Sequence, residues 1–200
     1  MPMPMDAKSF LVLHGWPNRR PVGHWQRWLA GRLADDGAQV LYPQLPEPDA
    51  PVLEDWLLDL RRYAAAMRGE EKVLVCHSLA VLLWWQAATS AAPVHADRVL
   101  LVAPPAPSFV RQEPVAAFVP DRMESQPLAP GLAESVRLVA SDADPYCPGG
   151  AATEYADRYG LDADIVPGAG HFDLPAGYGD WPSVLAWCRD PSVRIAGRER

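Results

Sequence analysis

The chain has 200 residues, of which 49% are apolar and 22% charged, with a formal net charge of −7. That length suits one domain with a proper core over 1–200 and is short for two, and the composition excludes a disordered or membrane-embedded chain. The negative charge, with no cluster of Lys and Arg to offset it, argues against a nucleic-acid partner, and no apolar run reaches membrane-spanning length, so a cytoplasmic protein without a membrane partner is expected. Strands and helices then alternate along the chain. Residues 9–13 form a short apolar run stopped by His14-Gly15, after which Trp25, Trp28, Leu29 and Leu33 recur at helical spacing and end near Asp36-Gly37. A second unit follows: a strand over 39–42, a proline-rich closure, and a helical stripe through Leu53, Trp56, Leu60, Tyr63 and Met67. The spacing predicts a third strand over 73–76 with a helix over 79–91, and a fourth strand over 98–103 whose continuous apolar character suits burial on both faces. Trp84 and Trp85 are adjacent on the 79–91 helix, and both are not expected to face inward. Residues 104–130 break the rhythm with many prolines and read as a surface insertion that overhangs the site. The last strands fall at 136–140 and 163–166, with helices over 151–159 and 181–188. This alternation implies an α/β fold, a mostly parallel sheet flanked by helices. Three cysteines at distant positions form no metal knuckle or disulfide framework, which fits reduced thiols.

The most informative stretch is Val73-Leu74-Val75-Cys76-His77-Ser78-Leu79-Ala80, an apolar strand running straight into a His-Ser pair and then a helix. A serine on such a turn projects its Oγ above the sheet, with the first amides of the following helix aimed at the developing oxyanion. An acid and a base follow in the order Ser, Asp, His, each just after a strand: Asp144 in Ser141-Asp142-Ala143-Asp144-Pro145-Tyr146, and His171 in Gly168-Ala169-Gly170-His171-Phe172. Strand ends of a doubly wound sheet share one edge, so Ser78, Asp144 and His171 are expected to converge. In that arrangement His171 takes the proton of Ser78 and returns it to the leaving group, while Asp144, favoured over Asp142, orients the imidazole. The oxyanion donors are expected to be the amide of Leu79 and an amide at Gly15 or Trp16. Trp16 and Phe172 sit beside these loops and are candidates for the wall of an acyl pocket. His14 and His77 lack metal-ligand spacing and read as packing or hydrogen-bonding residues, so no metal is expected. Cys147, near the acid, reads as an inert thiol, and His95 as a surface residue. Arg19 and Arg20 in the first loop either attract an anionic substrate or are simply solvated, the second reading being preferred.

These residues resemble a known family, the small YdeN-like serine hydrolases of the α/β-hydrolase superfamily, which also includes a human retinoblastoma-binding serine hydrolase. The resemblance spans nearly the whole chain, and it rests on Leu11-Val12-Leu13-His14-Gly15-Trp16, Gly23-His24-Trp25-Gln26-Arg27-Trp28, Asp49-Ala50-Pro51, Val75-Cys76-His77-Ser78-Leu79, Asp144-Pro145-Tyr146 and Gly170-His171-Phe172. It implies a compact α/β-hydrolase fold without a large lid, a triad on Ser78, Asp144 and His171, and no cofactor. Two positions depart from the common G-x-S-x-G elbow: Cys76 and Ala80 stand where glycine is usual. Both are the next smallest choices, so the elbow should survive with slight crowding. The expected activity is carboxylesterase-like hydrolysis of a small ester or thioester through an acyl-enzyme, with a small-molecule ester-type substrate as partner and a monomer or small homo-oligomer as the assembly. Two alternatives share the scaffold: an acyltransferase using the same triad, and a catalytically weak interaction protein. The retinoblastoma-pocket motif L-x-C-x-E is absent.

Overall fold

The computed structural model describes residues 3–120, 133–148 and 151–198. Its centre is one six-stranded sheet built from β1 (Lys8–Leu13), β2 (Gln39–Leu41), β3 (Glu71–His77), β4 (Arg98–Val102), β5 (Ser135–Ser141) and β6 (Asp162–Val166). The strands run in the order β2-β1-β3-β4-β5-β6, and every neighbouring pair is parallel. Parallel neighbours need crossover connections, and the segments between strands contain α1 (Trp25–Asp35), α2 (Leu53–Ala65), α3 (Leu79–Ala88), a single turn α4 (Pro107–Val110) after β4, and α5 (Ala151–Tyr159), while α6 (Pro182–Arg189) follows β6.

The continuous apolar runs of β1, β3 and β4 are explained by a core on each face. Leu11, Leu13, Leu74, Cys76, Val99 and Leu101 pack under α2 and α3, whereas Phe10, Val12, Val73, Val75, Leu100 and Val102 pack under α1 and α6. The period-2 alternation of a strand is therefore present in space, but both of its faces are apolar, so it is invisible in composition.

Trp84 and Trp85 correct the expectation that only one of them faces inward: both are fully buried. α3 lies against α2 on one flank, and on another Trp85 packs on Tyr159 with ring centroids 4.4 Å apart. A helix covered on several sides is apolar nearly all round, and only Gln86 between Leu79 and Ala88 escapes full burial. The 104–130 segment is likewise more than a surface insertion in its described part. Val110, Val115, Phe118 and Val119 join the core under α3, and Phe118 meets Trp56 edge-on at 5.3 Å. Residues 121–130 of that segment lie outside the described residues.

At the amino end of the strands a buried ion network fastens α6 to the sheet. Arg98 donates to the carbonyls of Trp187 (3.0 Å) and Cys188 (2.8 Å) and pairs with Glu71, while Lys8 donates to the carbonyl of Arg189 (3.0 Å) and pairs with Glu71 at 2.9 Å. The last helical carbonyls have no intrahelical donor, and here two buried cations supply one. Burial alone would raise the Glu71 carboxyl, but the bonds from Lys8 and Arg98 outweigh it and hold it below its ordinary value. Arg98→Met strands Glu71 beside a single cation, takes the Arg98 donor from the Trp187 carbonyl and leaves the Cys188 carbonyl only the long 3.5 Å contact from Lys8. The expected loss is about 3–5 kcal/mol of unfolding free energy, read by urea denaturation. A loss below about 1 kcal/mol would mean that the network is not coupled to folding.

Candidate active site

The strand order reverses between β1 and β3, and the loops leaving their carboxyl ends form the crevice where open α/β sheets bind ligands. Ser78 sits there with φ 57° and ψ −123°, a conformation costly for any residue with a side chain. The surrounding structure enforces it. The Ser78 amide donates to the Val102 carbonyl at 2.9 Å, extending the β3–β4 ladder by one bond, and the Ser78 carbonyl accepts from Val81 at 2.9 Å to start α3. Cys76 and Ala80, the two departures from the glycine pattern, are fully buried in the core on either side of the elbow.

Ser78 Oγ lies 2.8 Å from His171 Nε2, and His171 Nδ1 lies 2.8 Å from Asp144 Oδ2. All three side chains are buried. The other carboxylate oxygen of Asp144 accepts from the Tyr146 amide at 2.9 Å, which fixes the plane of the group. Asp142, the competing acid, is instead spent on the backbone: it accepts from the Gly168 amide at 2.7 Å and so ties the loop that carries His171 to the loop that carries Asp144. Ser141 Oγ makes a parallel tie by accepting from the Ala169 amide at 3.0 Å.

Histidines next to the site hold its frame. His77 Nε2–H donates to the His171 carbonyl at 2.9 Å, and complete burial pushes the His77 pKa well down, so the ring is neutral. His14 Nδ1–H donates to the Gly15 carbonyl at 2.9 Å while its Nε2 accepts from the Leu45 amide at 2.9 Å. His24 caps α1 by accepting from the Gln26 amide at 3.3 Å. Burial lowers both His14 and His24 to about 4, so both are neutral near pH 7. Among the described residues no group of three His, Cys, Asp or Glu is arranged to hold a metal ion, and no helix is long and apolar enough to cross a membrane.

Gly15 presses directly on the turn that carries Ser78: a Cβ built on it would stand 2.6 Å from Ser78 Cβ and 3.1 Å from Ser78 Oγ. Only glycine lets the first loop come so close. Gly15→Ala is expected to displace Ser78 or the loop by several tenths of an ångström and lower kcat by about a hundredfold, with far-UV circular dichroism unchanged. Wild-type turnover in a folded Gly15→Ala protein would contradict the geometry. Leu79 is the first residue of α3, so its amide lies outside the helical ladder and beside Ser78.

Two cavities open onto Ser78. One, of about 440 Å³, has Asn18, Arg19, His24, Asp49 and Asp173 in its wall beside Pro17, Pro21 and Leu174. The other, of about 230 Å³, is largely apolar and is bounded by Leu79, Pro105, Phe109, Val110 and Val115. Trp16 lines both, and its Nε1–H donates to the Asp49 carbonyl at 3.0 Å. Phe172 lines neither: it is fully buried, stacked on Trp181 at 4.9 Å and edge-on to Tyr178 at 4.8 Å. Its backbone, at φ 52°, turns the ring into the core while His171 faces the crevice, which corrects the expectation of a pocket wall. Arg19 pairs with the Asp49 carboxylate and Arg20 donates to the Tyr42 carbonyl, so neither is held ready for an anion. Sequence reasoning assigned no role to Tyr146, whose ring meets that of His171 edge-on at 4.5 Å, or to Phe109, which meets Tyr146 at 5.3 Å. The Asp-Pro-Tyr run was visible; that its third residue folds over the imidazole was not.

A family model for serine hydrolases matches residues 10–189. YdeN of Bacillus subtilis (strain 168), named as a hydrolase, is 38% identical over 73 residues, which is 36% of this chain and 37% of that curated relative's length. The crystal structure of the B. subtilis ydeN gene product superposes with a TM-score of 0.74 at 25% identity, covering 90% of this chain and 96% of the other. A YdeN-like hydrolase from Pectobacterium atrosepticum gives 0.72 at 23% identity over 93% and 91% of the two chains. The esterase domain of a Rhodothermus marinus protein shares the fold at a TM-score of 0.62 and 16% identity, over 92% and 87%. The six-stranded parallel sheet with flanking helices is an α/β-hydrolase fold, and the chain belongs to the serine hydrolase family.

Proposed function

We propose that the protein hydrolyses a small ester or thioester through an acyl-enzyme on Ser78, with His171 as general base and acid and Asp144 as the group that orients it. The observation that carries this reading is the unbroken chain of two 2.8 Å contacts from Ser78 Oγ through His171 to Asp144, at the meeting point of two cavities. A serine hydroxyl is a weak nucleophile at its free pKa, and a hydrogen-bonded imidazole removes the proton as attack proceeds. The Asp144 carboxylate selects the tautomer with hydrogen on Nδ1, which leaves the Nε2 lone pair facing Ser78. As Oγ bonds to the acyl carbon, the carbonyl oxygen takes up negative charge. The Leu79 amide beside Ser78, with an amide from the Gly15–Trp16 loop, is suited to receive it, and loss of one such donor in comparable sites costs roughly a hundredfold or more. His171 then protonates the departing oxygen or sulfur. Water, activated by the same imidazole, releases the acid and restores Ser78.

Rapid mixing with 4-nitrophenyl acetate tests the reading. A burst of one nitrophenol per protein molecule, with one acetyl group mapped to Ser78, is the expected result. Turnover without any acyl group on Ser78 overturns it. An added alcohol that captures most of the acyl group would place the chemistry with acyl transfer.

A further inference from the structure

The smaller cavity beside Ser78 is apolar by its Pro and Val residues, yet its wall also contains three aromatic rings and one carboxylate: Trp16, Phe109, Tyr146 and Glu113. Phe109 and Tyr146 meet at 64° with centroids 5.3 Å apart, so their planes form a corner. Glu113 is half-buried, and its carboxylate makes no ion pair or hydrogen bond among the described residues. A carboxylate on an apolar wall loses hydration without compensation unless its occupant brings a positive charge. The larger cavity has the same bias. Asp49 and Asp173 line it against one full cation among the described lining residues, Arg19, and that guanidinium is already paired with Asp49. His24 and His77, which also line it, are held neutral by burial. Across both walls, then, three carboxylates face a single guanidinium.

We infer that this site takes a substrate with an alkylammonium group on one of its arms, seated in the smaller cavity between the Phe109, Tyr146 and Trp16 rings and the Glu113 carboxylate. The negative faces of aromatic rings attract cations, quaternary ammonium groups especially, and a carboxylate at the same wall adds direct charge attraction. An uncharged arm of equal shape gains the contact area without either electrostatic contribution. A carboxylate-bearing arm meets repulsion in both cavities. The inference rests on the proposed hydrolytic reading only for the meaning of substrate; the binding preference stands by itself.

The probes are choline and 3,3-dimethyl-1-butanol, which share a shape and differ in charge. Ligand-observed NMR titration of the full chain gives a dissociation constant for each, and fluorophosphonate labelling of Ser78 is followed in parallel. Choline is expected to bind about tenfold more tightly than its neutral counterpart. Glu113→Gln, which keeps the rings, and Phe109→Leu, which keeps the carboxylate, are each expected to reduce the ratio about threefold, and choline to slow the labelling of Ser78. Equal binding of the two probes overturns the inference, and so does a preference that is undiminished in Glu113→Gln. Labelling of Ser78 with no choline preference removes the ammonium subsite and leaves the hydrolase reading intact. A choline preference without labelling removes the hydrolase reading and leaves the subsite.

Discussion

Ser78→Ala and His171→Ala are each expected to lower kcat by on the order of 10⁶-fold, and the double variant by no more than either alone. The reason is geometric. Among the described residues Ser78 Oγ has one base within reach, His171 Nε2 at 2.8 Å, so removing either partner would abolish the same proton transfer. Once the nucleophile is gone, the imidazole has nothing left to activate. Asp144→Asn keeps the shape but changes the hydrogen bond to Nδ1 from acceptor to donor. That favours the tautomer with its hydrogen toward Ser78, and a loss of about 10⁴-fold is expected. The measurement is kcat for 4-nitrophenyl acetate with each variant's circular dichroism as the control. Losses that multiply in the double variant would show that Ser78 and His171 do not act as one unit.

The second large effect is on stability. His14, His24 and His77 are buried in their neutral forms, and burial holds the first two at about 4. In the unfolded chain a histidine takes its proton near pH 6.5. Between those two values the unfolded state binds more protons than the folded one, so stability falls as pH falls through that window and is fully present above it. His14 and His24 are each expected to contribute about 3 kcal/mol to the loss between pH 6.5 and pH 4. Glu71, held below its ordinary value by Lys8 and Arg98, adds its own loss only at lower pH, beneath the usual carboxylate range. Urea denaturation at pH 7, 5.5 and 4.5 reads the effect. His14→Gln should be less stable at pH 7, because the Gly15 and Leu45 bonds are lost, yet show a shallower pH dependence. An unchanged slope in that variant would mean that His14 titrates in the folded state as it does in the unfolded one.

The outline of the fold was legible because its strands are short apolar runs ended by Gly, Pro or a polar pair, and because Ser78, Asp144 and His171 each follow such a run. Strand ends in a parallel sheet share an edge, so chain order alone brought the three together. What escaped depends on which way a side chain turns once neighbours from distant segments are in place. Trp84 and Trp85 are both buried because α3 is covered on several flanks, which no helical stripe reveals. Phe172 follows His171 directly, and the positive φ at that position sends consecutive side chains to opposite regions, one to the crevice and one to the core. Asp144 and Asp142 differ by two residues of spacing, and only the loop beyond β6 separates them in space: Gly168 donates to Asp142, and His171 contacts Asp144. Phe109 and Glu113 reach the site only because the chain after β4 folds back over α3, and proline-rich segments of that kind carry no periodicity from which to infer it.

The most direct test of the account is incubation of the protein with a fluorophosphonate probe, followed by intact mass and peptide mapping, with Ser78→Ala and His171→Ala alongside. One probe per molecule, confined to Ser78 and lost in both variants, is the predicted result. Well-folded protein that takes up no probe, or that takes it up at another residue, would contradict an activated Ser78.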